Sequence, residues 1–406
     1  MAGKSGIAAF VVPLVVSAAA CGTSTDTQFV HSEQVSKSTF EGTWPLTRDS
    51  GVLACDSSKS DAVTFTPGHD TKTYAVNKGA NGWAPKEGWA EANAIWSGDD
   101  WGDFIGAGLK LCGWVTYTTF GEEPFETLNL YPYKGSKMAI LANSDSLDAT
   151  TMSKWLRAMD GAYSFYASAT GREPDPLEDT LIDGLSTIAR VDATCGAGCG
   201  HMGTTGIEIL NNYFDEFYDR LKEYGQFGQI PFYELGRNFW FYDDQLNYKD
   251  VPGGPEPADI PTGYAVFMRF MSMQYLELEG APFGDLDFNE FLGQIRRLRD
   301  DYLANGSLTW ANTLGVGEGI DGWGATDLFA SFCFYLEENY GGMNWVQNVW
   351  RYAGERPDAE TTQDAVDNFI IVASEAAETN LVPLFETWRW PISQAASDYL
   401  GKLLPA

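Results

Sequence analysis

The strongest constraint in this chain is a change of hydrophobic period part-way along it. Before residue 113 the apolar residues gather in short, β-rich pieces, namely Trp44–Thr47, Gly51–Cys55, Ala62–Thr66 and Thr73–Asn77, separated by Asp, Ser, Gly and Pro. Such pieces read as strands between turns. From residue 151 onward the apolar residues recur three and four apart, which is the spacing of one helix face. Met152, Trp155, Leu156, Met159, Tyr163 and Tyr166 do so within 151–169, and Ile207, Leu210, Phe214, Phe217 and Leu221 within 206–224. Further helices are expected over 263–278, 288–303, 326–339, 344–352, 362–377 and 381–388. Lys137–Ala142 and Ile188–Val191 read as strands of a small sheet opening this part. The expected fold class is therefore α+β: a small β-rich domain over 40–113, a connector over 114–135, and a mainly α domain with a small sheet over 136–406.

Composition excludes some partners. A formal charge of −30 argues against nucleic-acid binding, which needs basic patches to displace phosphate counterions. The 14 Trp residues suit dense cores, since aromatic side chains dominate burial. Residues 1–21 have the pattern of a secretory signal, with Lys4, an apolar run over Ile7–Val16 and small residues at Ala18–Ala20. Cys21 after three alanines, with Gly22 following, resembles a bacterial lipobox, with Ala18 where Leu is commonest. Lipidation at Cys21 is expected, followed by a polar tether over 22–39. The expected location is extracellular or at the cell envelope, with the membrane reached through that lipid. Disulfides are then the default for the other cysteines. Cys195 and Cys199 are expected to pair locally; a zinc half-site is the alternative, and a second ligand pair is missing. Cys333 lies in an apolar run and is expected to be a buried free thiol.

The centre of the second part is 231–248, Pro-Phe-Tyr-Glu-Leu-Gly-Arg-Asn-Phe-Trp-Phe-Tyr-Asp-Asp-Gln-Leu-Asn-Tyr. Phe232, Leu235, Phe239, Tyr242 and Leu246 keep helical spacing, and Pro231 suits a first helical turn. Its core, Tyr233-Glu234-Leu235-Gly236-Arg237-Asn238, resembles the zinc helix His-Glu-Leu-Gly-His-Asn of metallopeptidases. Near the C-terminus, Asp367-Asn368-Phe369, Asn380–Phe385 and Trp388-Arg389-Trp390-Pro391-Ile392-Ser393 resemble the closing helices of enhancin-like, mucin-degrading gluzincin peptidases, with Arg389 where Gly is usual. The resemblance spans roughly 130–395. It implies a gluzincin-like fold whose cleft beside the zinc helix binds glycosylated peptide. Residues 40–113 resemble an uncharacterised secreted domain family of bacterial lipoproteins, through Trp44–Thr47, Val63-Thr64-Phe65, Tyr74–Asn77, Ile95-Trp96, Cys55 and Cys112. That resemblance implies a Cys55–Cys112 disulfide and no assigned activity.

In a zinc helix, two histidines one turn apart reach one metal while the intervening Glu activates water. Glu234 keeps the base position, but Tyr233 and Arg237 stand at the ligand positions, and a guanidinium repels a cation. No Asp or Glu lies between Asp259 and Glu277 to serve as third ligand, and His31, His69 and His201 are not placed to substitute. No zinc or other cofactor is expected. Glu234 and Arg237, three apart, are placed to form an ion pair. One reading makes that pair a buried lock; another makes Tyr233, Glu234, Arg237 and Trp240 a remodelled binding site for glycan or peptide. The loop 315–324, with five glycines and Glu318, Asp321 and Trp323, is a candidate rim for such a cleft, or simply a flexible loop. Asp285-Leu-Asp-Phe-Asn289 begins like a calcium loop, but Glu290 replaces the turn Gly. The functional expectation is a secreted or lipid-anchored, metallopeptidase-like protein that binds without catalysis. The alternative is an active hydrolase using Glu234 in a remodelled site.

Overall fold

The structure is a computed structural model describing residues 30–56, 59, 61–250 and 252–405. The expected signal segment and Cys21 lie outside the described residues. The chain forms two compact units, Met1–Cys112 and Gly113–Ala406. The α+β class holds, with a small sheet unit first and a mainly helical unit after it.

The first unit is a five-stranded sheet ordered β1 (Val30–Ser36), β2 (Ser50–Asp56), β3 (Ala62–Pro67), β4 (Tyr74–Ala75) and β5 (Ala90–Glu91). Helices α1 (Lys78–Glu87) and α2 (Gly102–Lys110) complete it. Three expectations change here. Residues 30–36, read as tether, pair antiparallel with β2 as an edge strand; their polarity reflects exposed positions rather than lack of structure. Trp44–Thr47 is not a strand: only Leu46 bridges, to Trp96, while Trp44 is buried against Phe65 and Phe104. Asn77 is the N-cap of α1, its side chain accepting from the Ala80 N–H. Cys55 and Cys112 are joined, Cα to Cα 5.1 Å, across 57 residues.

The second unit opens with a seven-stranded sheet. Its strands are β6 (Val115–Thr118), β7 (Thr127–Lys134), β8 (Met138–Ala142), β9 (Leu181–Ile182), β10 (Leu185–Val191), β11 (Gly198–Gly200) and β12 (Ile207–Leu210). The order is β11-β12-β10-β8-β7-β6, with β9 paired to β10. Residues 115–118 and 127–134, expected as connector, are thus sheet strands. Ile207–Leu210, read as the start of a helix, is instead a strand parallel to β10. An apolar run this short fits either state, and the parallel partner decides it.

Helices follow: α3 (Ala149–Thr170), α4 (Asn211–Tyr224), α5 (Ile230–Asn238), α6 (Asp243–Leu246), α7 (Ile260–Tyr275), α8 (Phe288–Ala304), α9 (Ala325–Asn339), α10 (Met343–Ala353), α11 (Thr362–Ala376), α12 (Val382–Thr387) and α13 (Gln394–Leu403). One apolar cluster runs from β8 and α3 through α5 and α7 to α9–α12, with Trp345, Trp350 and Trp388 fully buried. The calcium-like start at Asp285 resolves as a helix cap: Asp287 accepts from the Glu290 N–H and Glu290 from the Asp287 N–H. Arg389, standing where the resemblance implies Gly, has φ +58°, the left-handed region that favours glycine. Its guanidinium donates to the Tyr302 and Asn305 carbonyls, which holds the residue there.

Glu208 on β12 is fully buried and clasps the loop after β6. It accepts from the Phe120 N–H at 2.6 Å, the Gly121 N–H at 2.9 Å and the Thr194 hydroxyl at 2.8 Å. Removing that acceptor strands these three donors and the Tyr117 hydroxyl at 3.4 Å, and unmade buried hydrogen bonds cost about 1–3 kcal/mol each. Glu208→Ala should therefore destabilise the chain by about 3–5 kcal/mol in urea unfolding, with Glu208→Gln losing markedly less. A loss below about 1 kcal/mol in Glu208→Ala would show that the clasp does not depend on its acceptors.

Candidate functional site

Helix α5 is shorter than the 231–248 expected. Pro231 starts it in the first turn, and the helix ends at Asn238, where Phe239 leaves helical geometry and a second short helix, α6, follows. The break occurs where the aromatic run packs: Phe239, Trp240 and Tyr242 are each 2% exposed or less. Trp240, expected at a binding face, is core, with its indole N–H donated to Asp243 at 2.6 Å.

Close contacts on every side hold α5. The Tyr166 hydroxyl of α3 donates to the Phe232 carbonyl at 2.9 Å. A Cβ on Gly236 would lie 3.2 Å from the Ala265 Cα of α7 and 3.1 Å from the Tyr166 hydroxyl, so this position suits glycine because the helices nearly touch. Asn238 donates to the His201 and Gly206 carbonyls at 2.8 and 3.0 Å, and the Gly203 N–H donates to the Arg237 carbonyl. Strand β11 runs beside α5 so closely that a Cβ on Gly200 would meet the Glu234 carbonyl at 2.6 Å.

Within this frame Glu234 is 4% exposed and its Oε2 has no hydrogen-bond partner. The Arg237 Nε lies 3.6 Å from that oxygen, close enough for charge attraction and too far for a hydrogen bond. Burial pushes the Glu234 carboxyl up to about 7, against the opposing pull of the Arg237 charge and the Gly200 N–H. Arg237 points its hydrogen bonds elsewhere. Its Nη2 donates to the Tyr233 hydroxyl at 3.0 Å and to the Thr262 hydroxyl at 2.9 Å, and Thr262 donates on to Asp259 at 2.5 Å. The Arg237 side chain remains about a quarter exposed, so this assembly reaches the surface while Glu234 lies behind it. Beside them the His201 ring stacks on Phe120 at 3.8 Å, and burial lowers its proton affinity.

These residues do not fit a zinc ion. Tyr233 and Arg237 are hydrogen-bonded to one another at the ligand positions, and α7 brings Thr262 to them rather than a carboxylate. Among the described residues, the one group of three metal-ligating side chains close enough to share an ion is Cys55, Asp61 and Cys112, in the first unit; its two cysteines form a disulfide. Cys195 and Cys199 are likewise joined to each other, next to β11. Cys333 is a buried free thiol.

The expected site residues do not all converge. Tyr233, Glu234 and Arg237 do, whereas Glu318 is exposed on its loop and Trp323 lines a cavity beside Arg269 of α7. Thr262, Asp259 and Arg269 were not singled out from the sequence. A signal existed for the last: Arg269 is the only charged residue in α7.

No protein-family model matches the chain, and no curated protein matches it significantly. Among solved structures, it is similar to a functionally unknown conserved protein from Bacillus anthracis (13% identity, TM-score 0.43), covering 68% of this chain and 51% of that one. It is also similar to a metallopeptidase from Bacteroides thetaiotaomicron (12%, TM-score 0.43, 68% and 46%) and to the catalytic module of the metalloprotease ZmpA from Clostridium perfringens (10%, TM-score 0.40, 68% and 48%). The chain spans about half the length of these structures.

The Glu234 carboxyl gives this site a pH signature. It keeps its proton up to about pH 7 when folded but loses it near 4.5 when unfolded, so folded stability falls as pH rises across that interval. The loss amounts to at most about 3 kcal/mol. Glu234→Gln removes it, so the variant should gain on the parent chain as pH rises from 4 to 8, read as a widening difference in urea midpoint. A difference that stays flat with pH would mean that Glu234 titrates in the folded chain as it does in the unfolded one.

Proposed function

We propose that this chain is a secreted or envelope-anchored, metallopeptidase-like protein whose zinc position has been taken over by a guanidinium, and that it binds glycan or peptide there without catalysis. The observation that carries the reading is the Arg237 fork. Its hydrogen bonds to Tyr233 and Thr262 fill the space between α5 and α7 with a fixed positive charge, at the position where the resemblance implies a cation. A partly exposed guanidinium beside a phenol suits carbonyl, hydroxyl and carboxylate oxygens of a ligand. Strand β11 is the edge of its sheet, so an extended chain laid along it comes alongside α5. Two disulfides fit an oxidising compartment. No described helix is long and apolar enough to cross a membrane, and the membrane link rests on lipidation at Cys21.

A second reading has its own support. A carboxyl with a proton affinity near neutrality is suited to general acid–base work, so Glu234 is the residue on which hydrolysis of glycoprotein or cell-wall peptide would rest.

The full mature chain, purified under mild conditions, should show saturable binding on a glycan and peptide array and no stoichiometric zinc by elemental analysis. Arg237→Ala should weaken that binding at least tenfold, and Tyr233→Phe should weaken it less. Stoichiometric zinc, or binding that Arg237→Ala leaves unchanged, overturns the reading. Hydrolysis that disappears in a folded Glu234→Gln variant would establish the second reading in its place.

A further inference from the structure

Also beside Tyr233, α7 carries a second arginine whose environment is the reverse of the first. Arg269 is 5% exposed, and its Nε is buried with no hydrogen-bond partner. Its guanidinium is held by ring faces instead: Phe270 at 4.4 Å, Phe291 at 5.2 Å and Tyr233 at 5.9 Å. Cation–π contacts of this kind return about 2 kcal/mol when desolvated, less than the several kcal/mol that burying a charge costs. Burial lowers the Arg269 proton affinity to about 10, which still leaves it charged at neutral pH. A buried guanidinium whose Nε has no acceptor has an unmet hydrogen bond.

That cation lines a cavity of about 380 Å³, within the range of small-molecule pockets. The lining also holds Asp327, in the first turn of α9, whose carboxylate accepts from the Gly324 N–H at 3.2 Å. The two charges attract each other without forming an ion pair, and both line the same cavity. The remaining wall is a stack of three rings. Phe283 lies over Phe291 at 4.6 Å and 9°, and Phe291 beside Trp323 at 5.7 Å and 24°. Phe283 is half-exposed, which makes it the mouth of the cavity. The loop that presents Trp323 is not slack: Ile320 bridges Trp323, and a Cβ on Gly319 would fall 1.6 Å from the Trp323 carbonyl oxygen.

The charges select the ligand class. A simple anion satisfies Arg269 and meets the Asp327 carboxylate; a simple cation does the opposite. A zwitterion answers both, and the ring stack offers burial to an apolar group attached to it. We propose that this cavity binds a free α-amino acid with an apolar side chain, its carboxylate on Arg269, its ammonium group on Asp327 and its side chain against Phe283, Phe291 and Trp323. The site is distinct from the Arg237 fork and extends the function beyond glycan or peptide binding.

Titration of the full mature chain with L-phenylalanine and L-leucine, followed by isothermal calorimetry, tests this. Saturable one-to-one binding is expected, weakened at least tenfold for N-acetyl-L-phenylalanine, which lacks the ammonium group, and for L-phenylalaninamide, which lacks the carboxylate. Arg269→Leu removes an unpaired buried charge and should keep the fold, confirmed by circular dichroism, while abolishing binding. Asp327→Asn and Trp323→Ala should each weaken it about tenfold or more. Absence of binding by both amino acids, equal binding of the blocked analogues, or binding that persists in Arg269→Leu overturns the proposal. Glycan or peptide binding at the Arg237 fork is read separately, through Arg237→Ala, so either result stands without the other.

Discussion

The approach of α5 to α7 at Gly236 is the contact on which the rest of the second unit depends. With glycine there, the two helix backbones come together over Ala265, and the Tyr166 hydroxyl reaches the Phe232 carbonyl from the other side. This closeness brings Thr262 within reach of Arg237 and places the Arg269 guanidinium over the Tyr233 ring. A larger residue would push the helices apart and loosen both arrangements, since close-packed interiors do not absorb an added methyl without shifts. The geometry of the candidate site is therefore a property of packing first and of polar chemistry second.

The two arginines on this interface illustrate how differently one side chain behaves in two surroundings. Arg237 has hydroxyl acceptors on two elements, so its guanidinium is hydrogen-bonded where it stands. Arg269 has aromatic faces and a distant carboxylate, which orient the guanidinium without satisfying its hydrogen bonds. Glu234 stands between these cases, with one oxygen unsatisfied and a proton to cover it near neutral pH.

The long helices were legible because their apolar faces repeat for several turns: 263–278, 288–303 and 326–339 sit within a few residues of α7, α8 and α9. Short elements were not. Ile207–Leu210 has too few residues for its period to decide between helix and strand, and pairing with β10 settles it. Residues 30–36 carry a strand with no apolar pattern, because an edge strand takes its hydrogen bonds from one neighbour and leaves its side chains in solvent. At the site, the pairing of Glu234 with Arg237 was visible from their spacing, while the partnership with Thr262 was not, since it joins residues 25 apart through the α5–α7 contact. Trp240 sits in the core rather than at a binding face because the helix breaks before it, and the break turns its side chain inward.

The Arg237 fork has a consequence for how this unit assembles. In a metal-dependent fold, the helices around the ion gain part of their stability only when the ion arrives. Here the charge that joins α5 to α7 is covalently part of the chain and is present as soon as the two helices meet. The polar bridge between α5 and α7 therefore forms in the same step as their packing.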